Sequence, residues 1–389
     1  MESKRIARLA RESFLSEPVF QGFTDIRRHP RIRLRTILTS LFTMPLFGLR
    51  SLLSNDRQAR KASYKKLFGS QRKMVCSDST FARVLRWLRP SEAQQFLLGF
   101  LRRFESHDLL RKPLSADGQP RRLGILDGTH MGGHWLVTLC LAGRINYPVM
   151  IGRCEDRSQE QVVARAMMKQ ATELLGEQRP DLWLLDGLYF NANTIKIAQA
   201  QGAQVLFKVK DPEFRTVTAD AQNLFQHYGG DQEHSGRDHE RQCRWKMRIT
   251  IDNFYGYPVQ VAELREHYPK SKKDRNLRSW IVSTDLQLSA EELREAGHHR
   301  WQIENNVFKR LSHLAGTKRF YFKDHRQFFN MLHIFLAAVA VLDFLLTLLR
   351  AHKRLFDALR LGIKPTWRNL FSRIQEVLYE LPCAFRAIA

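Results

Sequence analysis

The sequence predicts a mixed α/β fold flanked by helical regions, and three observations carry that expectation. Short apolar runs at 123–127, 135–141 and 147–151, separated by turns rich in Gly and Asn, read as an antiparallel meander of three strands. Two further apolar runs, 182–186 and 205–209, alternate with helical patterns over 159–175 and near 194–200. The resulting β-β-β-α-β-α-β order puts a mixed sheet at the centre, with helices to cover both faces. Hydrophobic residues are 43% and aromatics 11% of the 389 residues, enough to exclude a mainly disordered or fibrous chain.

The N-terminal part, 1–115, reads as helices. Arg27, Arg28, Arg31, Arg33 and Arg35 lead into an apolar run at 37–46. A helix pair is expected near 77–88 and 91–104. Ser77, Asp78, Ser79 and Thr80 offer capping oxygens, Phe81, Val84, Leu85 and Leu88 follow at helical spacing, and Pro90 ends the first helix. Beside the basic stretch 65–73, this pair has the form of a helix-turn-helix that puts Arg83 and Arg86 on DNA, or else of a bundle with solvated charges.

A polar connector at 114–120 separates these helices from the sheet region, 116–210. Between 211 and 286 a β-rich insertion is expected, with strands near 245–251, 259–263 and 279–283 after a polar stretch, 231–241. The region 287–349 returns to helix. Ser289 and Glu292 have the spacing of a capping box, and Gly316 is placed to end that helix. Residues 350–389 read as a C-terminal helical region.

Charge narrows the partner. There are 63 Lys and Arg against 39 Asp and Glu, a net charge of +24, and so large a field favours a polyanion, with nucleic acid foremost. The five cysteines are odd in number and scattered, with no CxxC, so neither a disulfide framework nor a zinc ribbon is indicated and a reducing cytoplasm fits. The first residues contain no apolar stretch of the kind a secretory signal needs. The run 328–349 is long enough to cross a bilayer, but it carries Asn330, His333 and Asp343. An aspartate at mid-membrane costs several kcal/mol, so a helix buried in a protein core is expected.

Asp127 ends the first apolar run (GILDGTH) and Asp186 the fourth (WLLDGLYF). Carboxylates at the ends of buried strands are costly unless paired or bound to metal. Adjacent strands would bring the two together. Glu304 (HHRWQIENNVFKRL) adds a third acid, with Arg300 one helical turn earlier on the same face. Three carboxylates suffice to hold two hard cations about 4 Å apart, the arrangement that activates water or a 3′-hydroxyl against a phosphodiester. Taken alone, Arg300 and Glu304 would read as a surface ion pair.

In this order, the three segments resemble the DDE-type bacterial insertion-sequence transposases, in particular the cut-and-paste subgroup with a β-rich insertion and a YREK-type signature. The resemblance covers roughly residues 121–349. It implies a ribonuclease-H-like core, Mg2+ (with Mn2+ as a substitute), and excision and rejoining of double-stranded DNA. It casts 1–115 as a DNA-binding or dimerisation region, and 116–210 with 287–349 as the catalytic core. Asp127, Asp186 and Glu304 match the acidic triad as catalytic residues and metal ligands, and Arg300 matches the signature arginine. The signature tyrosine falls on Gly297 and its lysine on Leu311, so Lys309 or Arg310 is the substitute cation, with His298 or His299 at phosphate. A homodimer on paired DNA ends, no membrane association and a cytoplasmic, nucleoid-associated location follow.

Two other classes compete: a non-catalytic DNA-binding descendant of such an enzyme, and a peripheral membrane protein. Lesser candidates are His130 and His134 as zinc ligands, Glu155 and Asp156 as assistants to a metal, and Trp245, Trp280 and Trp301 as stacking partners for an unpaired base. For each, a turn or core role is the simpler reading.

Overall fold

The computed structural model describes residues 20–60, 76–106, 108–115, 118–210, 215–229, 233–238, 241–254, 257–268, 275–318 and 321–351. The basic stretch 65–73 and nearly all of the region 350–389 lie outside the described residues. The N-terminal part is helical: α1 (Leu34–Leu46), α2 (Leu52–Ala59), α3 (Asp78–Trp87), α4 (Pro90–Leu98) and α5 (Leu101–Ser106). Ser77 caps α3 by accepting from the Thr80 amide, and Phe81, Val84 and Leu85 form its buried stripe. Pro90 does more than stop α3. It occupies the first turn of α4, where its missing N–H has no helical partner to lose. The single helix expected over 91–104 is two, with Gly99 as the C-cap of α4.

Among the described residues the sheet has nine strands in the order β3-β2-β1-β4-β5-β9-β8-β7-β6. Its strands are β1 (Leu123–Met131), β2 (His134–Ala142), β3 (Asn146–Cys154), β4 (Leu182–Asp186), β5 (Gln204–Lys210), β6 (Glu233–Asp238), β7 (Arg241–Phe254), β8 (Tyr257–Tyr268) and β9 (Arg275–Ser283). The expected meander is present: β1 and β2, then β2 and β3, pair antiparallel. Parallel ladders join β1 to β4 and β4 to β5. This is a ribonuclease-H-like mixed α/β arrangement.

Two features differ from the sequence reading. β9 pairs antiparallel with β5, so the segment expected as an insertion extends the central sheet. The polar stretch 231–241 contains β6, an edge strand paired only with β7. Polar side chains on an edge strand leave no apolar alternation to read.

Helix α6 (Glu160–Leu175) packs on β1, β2 and β3, and α7 (Ala192–Ala200) on α6 and β5. A helix not anticipated from the sequence, α8 (Arg215–Tyr228), follows β5 and buries Ala221 and Phe225. Past β9, Ser289 and Glu292 form the expected capping box for α9 (Ala290–His299). The stretch that ends at Gly316 is not one regular α-helix. It passes through a π-helical turn, Ile303–Phe308, and resumes as α10 (Lys309–Ala315), which Gly316 closes at φ +66°. A π turn inserts one residue into the helical register, and such turns are frequent at functional sites.

The apolar run forms α11 (His325–Ala351), and its residues 330–344 are all buried within the protein. It lies against α1, α3, α4 and β3. Asn330 donates to the Leu85 and Leu88 carbonyls, His333 contacts the Phe329 carbonyl and Gln94 Oε1, and Asp343 pairs with Arg310.

Candidate active site

Asp127 does not end its strand. β1 continues to Met131 and turns into β2 through Gly132 and Gly133, both at positive φ, so Asp127 sits mid-strand opposite Thr138. The parallel ladder aligns Leu123 with Leu182 and Ile125 with Leu184. Continued by two residues, this register sets Asp127 level with Asp186, the last residue of β4, on the same face of the sheet. Asp186 in turn aligns with Lys208 of β5.

Arg300 follows α9 and reaches that face with its side chain 4% exposed. Its guanidinium gathers three carboxylates: Nη2 donates to Glu304 Oε1 at 3.3 Å, Nη1 lies 3.7 Å from Asp127 Oδ2, and Nε lies 3.9 Å from Asp186 Oδ1. Only the first is a hydrogen bond. The other two are ion pairs, and the buried Nε has no hydrogen-bond acceptor. Exposure rises across the cluster, from 12% at Asp127 through 27% at Asp186 to 49% at Glu304, so the site opens to solvent on the Glu304 side.

A fourth carboxylate lies close by, and the sequence reading missed it. Alternation turns Gly128 to the opposite face from Asp127, where a Cβ would stand 2.2 Å from Glu160 Cδ. Glu160, the first residue of α6, is buried and accepts a hydrogen bond from the Tyr189 hydroxyl at 2.7 Å. Its sequence signal was weak, because a glutamate in the first turn of a helix is ordinary. Burial pushes the Asp127 carboxyl up to about 7; Arg300 opposes the shift, while Glu304, Asp186 and Glu160 add to it. Three acids thus gather around one guanidinium, and a fourth, Glu160, adds its charge to Asp127 from the other face of the strand.

Carboxylate oxygens are the hard donors that Mg2+ takes, and this charge excess suits a dication. The donor chemistry fits. Among the described residues, no group of three or more His, Cys, Asp or Glu is gathered closely enough to hold a metal ion, and the guanidinium lies between the acids.

The remaining candidates divide. Lys309 is exposed and donates to Asn305 Oδ1. Arg310 faces inward, bonded to Asp343 and to Asn306, so its charge is used in the fold and not offered to phosphate. His299 is 2% exposed, with Nε2 at 2.7 Å from Lys112 Nζ and 3.0 Å from Glu295 Oε1, and Nδ1 against Gln302. His298 faces the Trp301 ring. Gly297 stands where the signature tyrosine would fall, and a Cβ there would meet Ile281 Cδ1 at 2.9 Å. β9 fills that space.

His130 packs on Trp135, while His134 stacks on Phe328 and contacts the Phe322 carbonyl, so the pair serves the hairpin. Asp156 caps the turn before α6 by accepting from Ser158 N. Trp280 is a core residue, 1% exposed. Trp301 carries Lys208 Nζ 4.0 Å above its ring, a cation–π contact beside Asp186. The Trp245 side chain lies outside the described residues.

No protein-family model matches the chain, and no curated protein does. Among solved structures, the chain is similar to that of a cryo-EM structure of piggyBac transposase synaptic complex with hairpin DNA. Identity is 10%, coverage is 98% of this chain and 81% of that one, and the TM-score is 0.47. With so low a TM-score, the functional conclusion rests on the residues of this chain alone.

Proposed function

We propose that this chain is a DDE-type DNA transposase of the bacterial insertion-sequence kind, cutting and rejoining double-stranded DNA. The observation that carries the reading is the convergence of Asp127, Asp186 and Glu304 on Arg300, from two neighbouring parallel strands and one helix. A surface ion pair has no need of two strand carboxylates or a buried guanidinium. The net charge of +24 supplies the long-range attraction for DNA that an acidic site by itself would repel.

Asp127, Asp186 and Glu304 would hold Mg2+, or Mn2+ in its place. When bound, the metal supplies activation of a water or 3′-hydroxyl and stabilisation of the departing oxygen. Asp127, whose carboxyl burial pushes up to about 7, would lose its proton on holding the metal. Arg300, shared among three carboxylates in this structure, would neutralise charge at the scissile phosphate. Tyr189 fixes Glu160, whose charge across the strand helps to hold the Asp127 carboxyl up. Lys309, exposed one turn beyond Glu304, is the remaining cation for the DNA backbone. A homodimer would bring two ends together, each active site working on one.

The test is cleavage of a labelled duplex carrying the element's end in Mg2+. Asp127→Asn, Asp186→Asn and Glu304→Gln each keep shape and remove one charge, so each should abolish cleavage while end binding persists. Near wild-type cleavage by any one variant removes that residue from the triad. Cleavage by none of the proteins, wild type included, favours the non-catalytic DNA-binding descendant.

A further inference from the structure

A second site lies in the N-terminal helices, away from the carboxylates. Between the segment 26–32 and α3 there is a cavity of about 570 Å³, within the range of small-ligand sites. Arg27, Arg28, Arg31 and Arg83 line it, together with Ile26 and Trp87. The segment is braced rather than loose. Arg27 grips Asp25 with two hydrogen bonds, of 2.7 and 2.6 Å, and donates to the Ile32 carbonyl at 2.9 Å. His29 turns the chain at φ +50°. With Arg27 spent on this bracing, Arg28, Arg31 and Arg83 are exposed, and no described residue pairs with them.

The apolar part of the lining decides the ligand. Eight large hydrophobic residues are exposed among those described, and two of them, Ile26 (57%) and Trp87 (41%), are in this cavity. Arginines alone would suit the phosphates of a duplex. An uncovered indole face among arginines suits a base that is out of the stack, because every base has a π face and a paired one hides it.

We propose that this cavity binds an unpaired nucleotide of DNA, with the base on Trp87 and Ile26 and the flanking phosphates on Arg28, Arg31 and Arg83. The choice of DNA rests on the function proposed above; the site itself is separate from the chemistry. A staggered cut through both strands would leave an unpaired overhang, and a pocket that captures it would keep the cut end on the protein.

The experiment uses the full chain in EDTA, so that no cleavage enters, and compares a labelled thymidine oligomer with a fully paired duplex. Trp87→Ala should weaken oligomer binding about tenfold, within the stacking contribution of one base, and leave duplex affinity unchanged. Trp87→Phe should restore most of the loss, since it keeps an aromatic face. The triple variant Arg28→Ala, Arg31→Ala, Arg83→Ala should weaken oligomer binding and flatten its salt dependence. Thermal melting of each variant confirms folding. Wild-type oligomer affinity in Trp87→Ala overturns the proposal, and so does an equal loss for oligomer and duplex. Cleavage in Mg2+ is scored separately: a chain that cleaves normally and ignores Trp87→Ala refutes only this site, and one that binds the oligomer through Trp87 but never cleaves refutes only the transposase reading.

Discussion

Arg300 Nη1 stands 3.7 Å from Asp127 Oδ2, which joins a residue just past a helix to one in the middle of a strand far earlier in the chain. The same guanidinium also neighbours Asp186 and Glu304, so the protein holds its acids together with one cation instead of spacing them apart. Several consequences can be measured.

Removing that cation should cost stability before it affects chemistry. Breaking a buried ion pair typically costs about 3–5 kcal/mol because the partner charges stay buried. Arg300→Ala should therefore lower the urea midpoint strongly in EDTA, and added Mg2+ should recover part of the loss. Arg300→Lys keeps the charge without the planar fork. It should bind DNA ends nearly normally yet cleave slowly in single turnover. Unchanged stability and rate in both variants would take Arg300 out of the site.

The Asp127 carboxyl is pushed from 3.8 up to about 7, first by burial. Between those values the folded chain keeps a proton that the unfolded chain releases. Its contribution to stability is full below about pH 4 and is lost as pH rises through about 7. In EDTA the total swing is on the order of 4 kcal/mol. Asp127→Asn should flatten this slope and be the more stable protein at about pH 8. Urea midpoints across the window check this, and a wild-type slope of opposite sign would contradict it.

Gly128 leaves room for Glu160, whose Cδ would be 2.2 Å from an added Cβ, while Tyr189 holds the carboxylate in place. Gly128→Ala should cost about 1–3 kcal/mol through overpacking. In a Glu160→Ala background the same substitution should cost much less. Additive costs in the double-mutant cycle would mean that the two positions do not touch.

Asp343 is tolerated inside α11 because Arg310 meets it. Asp343→Ala alone should destabilise by about 3–5 kcal/mol, whereas Asp343→Leu with Arg310→Met should be close to neutral. Chemical denaturation of the three proteins tests this. A double variant as poor as the single one would show that the pair has no such role.

The meander, β4, β5 and the helix from Glu160 to Leu175 were legible because their apolar patterns are local and bounded by turns. β6 and α8 were not. An edge strand of polar residues and a half-buried helix take their place from their neighbours rather than from their own periodicity. The break of the Glu304 helix into a π turn was also hidden, since Ser289, Glu292 and Gly316 mark only where the helical stretch begins and ends.

By itself, then, the sequence determined that Asp127 and Asp186 follow equivalent strand patterns, that Arg300 and Glu304 share a helix face, and that the chain carries a net charge of +24. Only the tertiary structure decided which charges are free. Arg310 and His299 look as available in sequence as Lys309, but burial against Asp343 and against Glu295 and Lys112 commits them to the fold. It also decided that Glu160 joins the acids and that Gly297 leaves no room for a tyrosine. The physical reason is one of range: periodicity and capping act over a few residues, whereas desolvation and Coulomb terms depend on neighbours that the chain brings in from far away.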